Sequence, residues 1–149
     1  GFMRRNAVGT AQDGSYFVEL DTYRNSWMTQ SVATDAGAHY LLSWHYSPRA
    51  GVGAASNAIE VSWNGQLLHV NSGSGSGQGN HQWQQFSAEV IGTGGLDALR
   101  FAAAGTSDSY GGSLDHVALV RANVPEPASL ALAVAALGLL GASARRRAG

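Results

Sequence analysis

Apolar and polar residues alternate along most of the chain between residues 15 and 120, and this period constrains the fold more than any other feature. The alternation is clearest in the segment 38–46, whose two faces differ in polarity. One face carries Tyr40, Leu42, Trp44 and Tyr46, and the other carries Leu41, Ser43 and His45. Because successive side chains of a β-strand point to opposite sides, a period of two predicts strands with one buried face. No segment in this region has a helical period of useful length, so we predict an all-β domain.

The same pattern recurs in short segments that are separated by turns rich in Gly, Ser and Asn. We predict strands at residues 16–20, 28–34, 38–46, 57–63, 66–70, 83–91, 99–103 and 114–120. The dipeptide Asn64-Gly65 joins two of them and strongly indicates a tight β-hairpin. Short antiparallel strands of this kind form a β-sandwich. We therefore expect an antiparallel sandwich at residues 15–121, preceded by an irregular segment at residues 1–14.

Composition argues against several classes of function. Lysine is absent. Residues 1–124 contain six arginines and nine Asp or Glu residues, so the formal charge of that part is −3. An acidic domain without a basic stripe is not typical of nucleic-acid binding. The chain has no cysteine, which excludes disulfides and thiolate metal sites. The five histidines lack metal-ligand spacing, and the sequence has neither a Gly-x-Ser-x-Gly elbow nor a phosphate-binding loop. We therefore do not expect an enzyme.

The C-terminal segment has three parts of different character. The motif Val124, Pro125, Glu126 and Pro127 is followed by the uncharged run ASLALAVAALGLLGASA, and then by Arg145, Arg146 and Arg147. Proline fixes φ and lacks an amide donor, so we predict an extended linker at residues 122–127. The run at positions 128–144 just reaches the lower limit of length for a transmembrane helix, and we predict one there. By the positive-inside rule, the arginines place the tail at residues 145–149 in the cytoplasm.

This order of motif, apolar run and terminal arginine cluster closely resembles a PEP-CTERM protein-sorting signal, from Val124 to the C-terminus. The resemblance implies that an exosortase, a membrane enzyme similar to transpeptidases, recognises the motif and cuts near it. It also implies a stage in the inner membrane during sorting, followed by a location at the cell surface or outside the cell. A plain tail anchor and a buried apolar helix are the alternatives.

Several strings within the predicted sandwich carry a second resemblance. They are VELD at 18–21, YSPR at 46–49, IEVSWNG at 59–65, GTSDSYGG at 105–112 and LDHV at 114–117. Together they are similar to the galactose-binding-like jelly rolls of secreted bacterial proteins, among them the DUF642 family. That family usually opens with one or two more strands, so the resemblance implies a chain truncated at its N-terminus. The segment 1–14 also lacks the apolar core of a signal peptide.

The jelly-roll resemblance also implies a structural calcium ion, because relatives of this fold often hold one near their terminal strands. Calcium binds carboxylate and carbonyl oxygens, and Glu19, Asp21 and Asp115 lie at strand edges where such a site is expected. Spacing alone does not imply the site. The alternative is that Glu19 and Asp21 are solvated residues of a strand that points Leu20 inward.

Candidate ligand-binding residues lie in the connections between strands. Trp27 follows a polar string and is the best candidate for an aromatic platform under a sugar, whereas Trp63 shares a face with aliphatic residues and is expected in the core. Tyr110, Arg49 and Asp108 lie in strings that match the family, and Arg49 is expected to pair with Asp108 across one end of the sandwich. The alternatives are a packed loop tryptophan and a surface ion pair of little energetic value.

We therefore predict an exported, non-catalytic surface or matrix protein that is sorted through its C-terminus. Its jelly roll binds polysaccharide or packs within an exopolysaccharide layer. The alternative is an accessory domain of a secreted hydrolase whose catalytic part lies outside this sequence.

Overall fold

A computed structural model of the chain describes residues 2–5, 8–123 and 135. Within these residues it contains nine strands, and one 3-10 turn at Ala54–Ser56. The strands are β1 Phe2–Arg4, β2 Phe17–Glu19, β3 Trp27–Ala33, β4 His39–Ser47, β5 Ile59–Trp63, β6 Gln66–Asn71, β7 Gln84–Ile91, β8 Leu96–Ala103 and β9 Ser113–Arg121.

The strands form two antiparallel sheets that pack face to face. One sheet has the order β1-β2-β9-β4-β7, and the other has the order β3-β8-β5-β6. The prediction of an antiparallel β-sandwich is confirmed, and the eight predicted strands correspond to β2–β9. The structure differs in β1, which lies in the segment expected to be irregular and pairs with β2. A strand as short as β1 shows no alternation in the sequence, and only pairing with β2 orders it.

The core lies between the sheets and is built mainly from the inward faces of β4, β5, β7, β8 and β9. Its buried members are Leu20, Leu42, Trp44, Tyr46, Ile59, Val61, Trp63, Val90, Leu99, Phe101 and Leu114. The alternation seen in the segment 38–46 therefore marks the inner face of β4. Trp63 is buried, as expected. Burial of each large side chain contributes about 1.5–3 kcal/mol, so this face accounts for much of the stability.

The hairpin between β5 and β6 forms as predicted. Asn64 has φ 49° and Gly65 has φ 81°, and a two-residue turn of type I′ requires positive φ at both central residues. The Asn64 side chain strengthens the turn, because its Oδ1 accepts a hydrogen bond from the amide of Ala98 at 2.7 Å. The hairpin is thereby attached to β8.

Apart from the connection between β1 and β2, the connections between strands lie at two opposite ends of the sandwich. We call one the loop end, and it contains the long connections at residues 20–26, 48–58, 72–83 and 104–112. We call the other the tail end, and it contains the connections at residues 34–38, 64–65 and 92–95 together with residues 122–123. Because β9 runs from the loop end to the tail end, the chain leaves the domain at the tail end.

The predicted linker motif Val124–Pro127, the predicted helix at 128–144 (except Ala135) and the terminal arginines lie outside the described residues. Within residues 2–5, 8–123 and 135, no helix has the length and apolar character needed to cross a membrane.

Candidate functional site at the loop end

Glu19 organises the loop end from a fully buried position. Its Oε2 accepts a hydrogen bond from Nε of Arg4 at 2.9 Å, and its Oε1 accepts one from Nη1 of Arg49. A buried carboxylate is costly unless cations and hydrogen bonds compensate it. Here β1 and the connection after β4 each supply a guanidinium. The alternative of a solvated Glu19 is therefore wrong, and the residue joins separate parts of the loop end.

Arg49 is fixed on three sides. Besides its bond to Glu19, its guanidinium carbon lies 4.8 Å from the centroid of the Tyr110 ring, a cation–π contact. Its backbone amide donates to Oδ1 of Asn57 at 3.0 Å. Asn57 is itself fully buried and donates from Nδ2 to the carbonyls of Val52, Gly53 and Gly73. The guanidinium of Arg49, held by these contacts, therefore supports one face of the exposed ring of Tyr110.

Asp108 does not pair with Arg49, contrary to the prediction. Its Oδ2 accepts a hydrogen bond from the Ser56 hydroxyl at 2.6 Å, and its Oδ1 accepts one from the amide of Tyr110 at 3.1 Å. The guanidinium of Arg49 contacts Glu19 instead. The carboxylate of Glu19 is fully buried, so leaving it without a cation would cost more free energy than leaving Asp108 without one. Asp108 thus shapes the turn that presents Tyr110.

Asp21 and Asn25 face each other across an isolated β-bridge in the connection between β2 and β3. Asp21 is fully buried, so the alternative of a solvated Asp21 is wrong. Its Oδ2 accepts a hydrogen bond from the amide of Asp108 at 3.1 Å. Its Oδ1 and the Oδ1 of Asn25 are both buried without a hydrogen-bond partner. Such unsatisfied oxygens are uncommon in folded proteins, and each is able to accept a hydrogen bond from a water or another donor or to contact a cation.

The carboxylate of Asp115 contacts a different part of the chain from Asp21 and Asn25. Its Oδ2 accepts hydrogen bonds from the amides of Gln12 at 2.8 Å and Asp13 at 3.1 Å, and it holds the N-terminal segment against β9. Among the described residues, no three His, Asp or Glu side chains lie close enough together to hold a metal ion. Of the three carboxylates predicted to bind calcium, Asp21 alone keeps a buried oxygen without a partner.

Three aromatic side chains are exposed at or beside the loop end: Tyr23, Trp27 and Tyr110. The Ser109 hydroxyl donates to the carbonyl of Tyr23 at 3.3 Å, which connects the loops that carry the two tyrosines. Trp27 begins β3 on the solvent face of the four-stranded sheet, and the guanidinium carbon of Arg100 lies 5.2 Å from its ring centroid. Trp27 is therefore not a packed loop residue.

A serine and a histidine lie in contact near the loop end, but in a buried position. The Ser113 hydroxyl is 3.1 Å from Nε2 of His81, and Nδ1 of His81 is 3.1 Å from the carbonyl oxygen of Thr10. Ser113 is fully buried, so no substrate reaches its hydroxyl. Burial lowers the pKa of His81. The pair anchors the N-terminal segment to β9 and does not have the geometry of an exposed nucleophile.

Trp27, Arg49, Asp108 and Tyr110 were identified from the sequence, but two features of this end were not. Arg4 was not assigned to the site, since it lies on the short strand β1. Tyr23 was not singled out either. The polar string before Trp27, which contains Tyr23, indicated an exposed loop, but no sequence pattern indicated that this loop lies beside the loop of Tyr110.

The fold is that of a jelly-roll β-sandwich and is similar to those of carbohydrate-binding modules. A family 35 carbohydrate binding module from Clostridium thermocellum superposes with a TM-score of 0.58 at 18% identity, covering 81% of this chain and 88% of that one. A family 16 carbohydrate binding module gives a TM-score of 0.56 at 14% identity, covering 79% and 83%. At these identities the similarity concerns the fold.

The chain also carries a PEP-CTERM protein-sorting motif, matched over residues 123–147. The resemblance inferred from the Pro-Glu-Pro motif, the apolar run and the arginine cluster is thereby confirmed. The motif indicates a protein directed to the cell surface.

One curated relative is similar in sequence over most of the domain. It is the multifunctional-autoprocessing repeats-in-toxin protein of Vibrio cholerae, which is 33% identical over 105 residues, or 70% of this chain. The chain spans about 2% of the length of that relative. The match therefore concerns one module of a much longer protein.

Proposed function

We propose that the protein is an exported, non-catalytic carbohydrate-binding domain. During sorting, its C-terminal segment anchors the domain in the inner membrane. One observation carries this proposal. The exposed aromatic rings of Tyr23, Trp27 and Tyr110 lie at or beside the loop end, and the chain leaves toward the sorting motif from the opposite end.

The chemistry of these side chains suits a sugar. An aromatic ring offers an apolar face to the C–H groups of a sugar ring, while the phenol of a tyrosine also forms hydrogen bonds. Arg49 supports Tyr110 from below, and Arg100 covers part of Trp27. Rings held in this way lose little conformational freedom when a ligand binds. We infer that Tyr110 and Tyr23 bind a polysaccharide, with Trp27 beside them on the sheet.

The direction of the domain supports binding on the outer side of the membrane. Strand β9 has nine residues, which span about 30 Å at about 3.3 Å per residue. The loop end therefore lies roughly that distance farther from the sorting motif than the tail end. A domain held by its C-terminus presents its aromatic end away from the bilayer.

The C-terminal motif is the proposed substrate of an exosortase-type enzyme. Two prolines keep residues 125–127 extended, and peptidase-like clefts bind extended backbone. The apolar run at positions 128–144 is only just long enough to span a bilayer, which suits a temporary hold better than a permanent anchor. After cutting, the sandwich is released or attached at the cell surface.

Calcium remains a proposal, and the geometry favours Asp21 as its ligand. The unpartnered Oδ1 atoms of Asp21 and Asn25 are hard oxygen donors of the kind calcium prefers. Glu19 and Asp115, the other two carboxylates predicted for this site, already contact arginines and backbone amides respectively. An ion at Asp21 would order the connection that carries Tyr23.

A second candidate function is an accessory domain of a secreted hydrolase. It is supported by the similarity to a GH26-CBM35 β-(1,4)-mannanase from Podospora anserina, with a TM-score of 0.53 and 27% of that chain covered. The sugar-binding role of the loop end is the same in both cases.

Affinity electrophoresis in gels that contain soluble mannans, xylans or glucans tests the proposal. We expect at least one polysaccharide to retard the full chain, and the Tyr110→Ala variant to lose most of the retardation. Tyr16→Ala is the matched control, because Tyr16 is 49% exposed and Tyr110 is 48% exposed, but Tyr16 precedes β2 away from the loop end. Equal losses for the two variants, or no retardation in any gel, would contradict the proposal.

A further inference from the structure

We propose that the tail end of the sandwich rests on the lipid bilayer during sorting, through the aliphatic side chains of Leu41, Ile91, Leu96 and Val120. We call these four residues the aliphatic rim. This inference rests on the membrane stage of the proposed function and adds to it a defined surface and a defined partner.

The length of chain beyond the domain brings this end close to the membrane. Strand β9 ends at Arg121, and residues 122–123 follow it at the tail end. Only the segment from Val124 to Pro127 then precedes the apolar run. An extended segment of that length spans at most about 14 Å. Once the run enters a bilayer, the tail end therefore lies within reach of the headgroups, whereas the loop end does not.

The aliphatic rim is exposed and lies at the tail end, the end from which the chain leaves. Its four side chains have between 48% and 75% of their surface exposed. Leu41 on β4 lies directly opposite Val120 on β9, and Ile91 ends β7 opposite His39. Leu96 begins β8 after the connection at residues 92–95, which also starts from Ile91. Scattered exposed aliphatics are ordinary, but here four lie at the end of the sandwich from which the chain leaves, Leu41, Ile91 and Val120 on one sheet and Leu96 on the other.

The chemistry of the rim suits lipid better than sugar. Leu, Ile and Val have no hydrogen-bonding group, in contrast to the tyrosines and tryptophan at the loop end. Two exposed carboxylates at this end have side-chain partners, since Glu89 contacts His39 and Asp35 pairs with Arg121. A surface that combines aliphatic side chains with partnered polar groups can enter the headgroup region, where interfacial segments bury their apolar face by about 5–10 Å.

Fluorescent labelling at single cysteines tests this inference, because the natural chain has no cysteine. We would reconstitute the full chain in vesicles of phosphatidylcholine with a minority of phosphatidylglycerol, with or without nitroxide-labelled lipids that quench nearby fluorophores. Separate variants carry the fluorophore at Leu96→Cys in the rim, at Leu137→Cys in the apolar run and at Tyr23→Cys at the loop end. We expect lipid-dependent loss of fluorescence at positions 96 and 137 and none at position 23.

The three positions separate this inference from the function on which it rests. Quenching at 137 without quenching at 96 would overturn contact of the rim with the bilayer and leave the membrane stage intact. Absence of quenching at both would remove the membrane stage, and the inference with it. A fluorophore at position 96 that is already shielded from aqueous quenchers without vesicles would assign the rim to contact between two copies of the chain, which also overturns the inference.

Discussion

The side-chain amide of Asn64 donates a hydrogen bond from Nδ2 to Oδ1 of Asp97 at 2.8 Å, and so fixes the β5–β6 hairpin to the start of β8. Asp97 is buried and also accepts hydrogen bonds from Oγ1 of Thr34 and Oγ1 of Thr93, both at 2.5 Å. One carboxylate thereby connects three turns of the tail end. Hydrogen bonds from Thr34 and Thr93 hold the pKa of Asp97 well below its usual range.

The depressed pKa of Asp97 predicts a loss of stability in acid. Because the folded state favours the ionised form, the contribution of Asp97 is fully present above its unfolded pKa, about 3.9. It falls as the pH decreases below that value toward the folded pKa. Urea unfolding of Asp97→Asn should show lower stability at neutral pH and a weaker decline in acid than the natural chain. Parallel pH profiles for the two proteins would contradict this assignment.

Removal of the buried carboxylate of Glu19 should destabilise the sandwich strongly. Glu19→Gln leaves the guanidiniums of Arg4 and Arg49 without their anion, and loss of one partner of a buried ion pair typically costs about 3–5 kcal/mol. Glu60→Gln is the control, because Glu60 is exposed on β5 and such changes usually stay within about 0.5 kcal/mol. Urea denaturation followed by tryptophan fluorescence measures both. A cost for Glu19→Gln that matches the control would show that the arginines find other partners.

Calcium should raise the melting temperature through Asp21. An ion that binds only the folded state stabilises it by about 2.7 kcal/mol when its free concentration is a hundred times its Kd. We expect calcium to raise the melting temperature of the natural chain, a chelator to lower it, and Asp21→Asn to abolish both effects. Asp35→Asn, which alters an exposed carboxylate of the tail end, should keep them. A melting temperature indifferent to calcium and chelator would remove the ion from the account.

The alternation of residues was enough to predict the sandwich, since burial of one face repeats along β4 and β5, the strands with the clearest pattern. It gave no indication that Glu19 and Asp21 are buried, because alternation around Leu20 favours neighbours that face solvent. In the structure all three residues are buried, since loops distant in sequence cover the outer side of this strand end. The local periodicity of the sequence does not indicate that distant loops will bury the end of a strand.

The ion pairs of the loop end could not be predicted from the sequence either. Arg49 and Asp108 both lie in loops of the same end, so their pairing was a reasonable expectation. The choice between Asp108 and Glu19 depends on which carboxylate is desolvated, and desolvation depends on the whole assembled end. The aromatic residues were easier to find, because Trp27 and Tyr110 stand in polar strings that mark exposed connections.

The central claim is that an exported domain is released after a temporary hold in the membrane. The position of the C-terminus of the mature protein tests this claim most directly. Intact-mass and peptide mass spectrometry of the surface-exposed form would locate the last residue. The account predicts a chain that ends near Pro125–Pro127 and lacks the apolar run, and it predicts that Glu126→Ala blocks this cut. A mature protein that still ends in Ala148 and Gly149 would contradict processing and show a permanent tail.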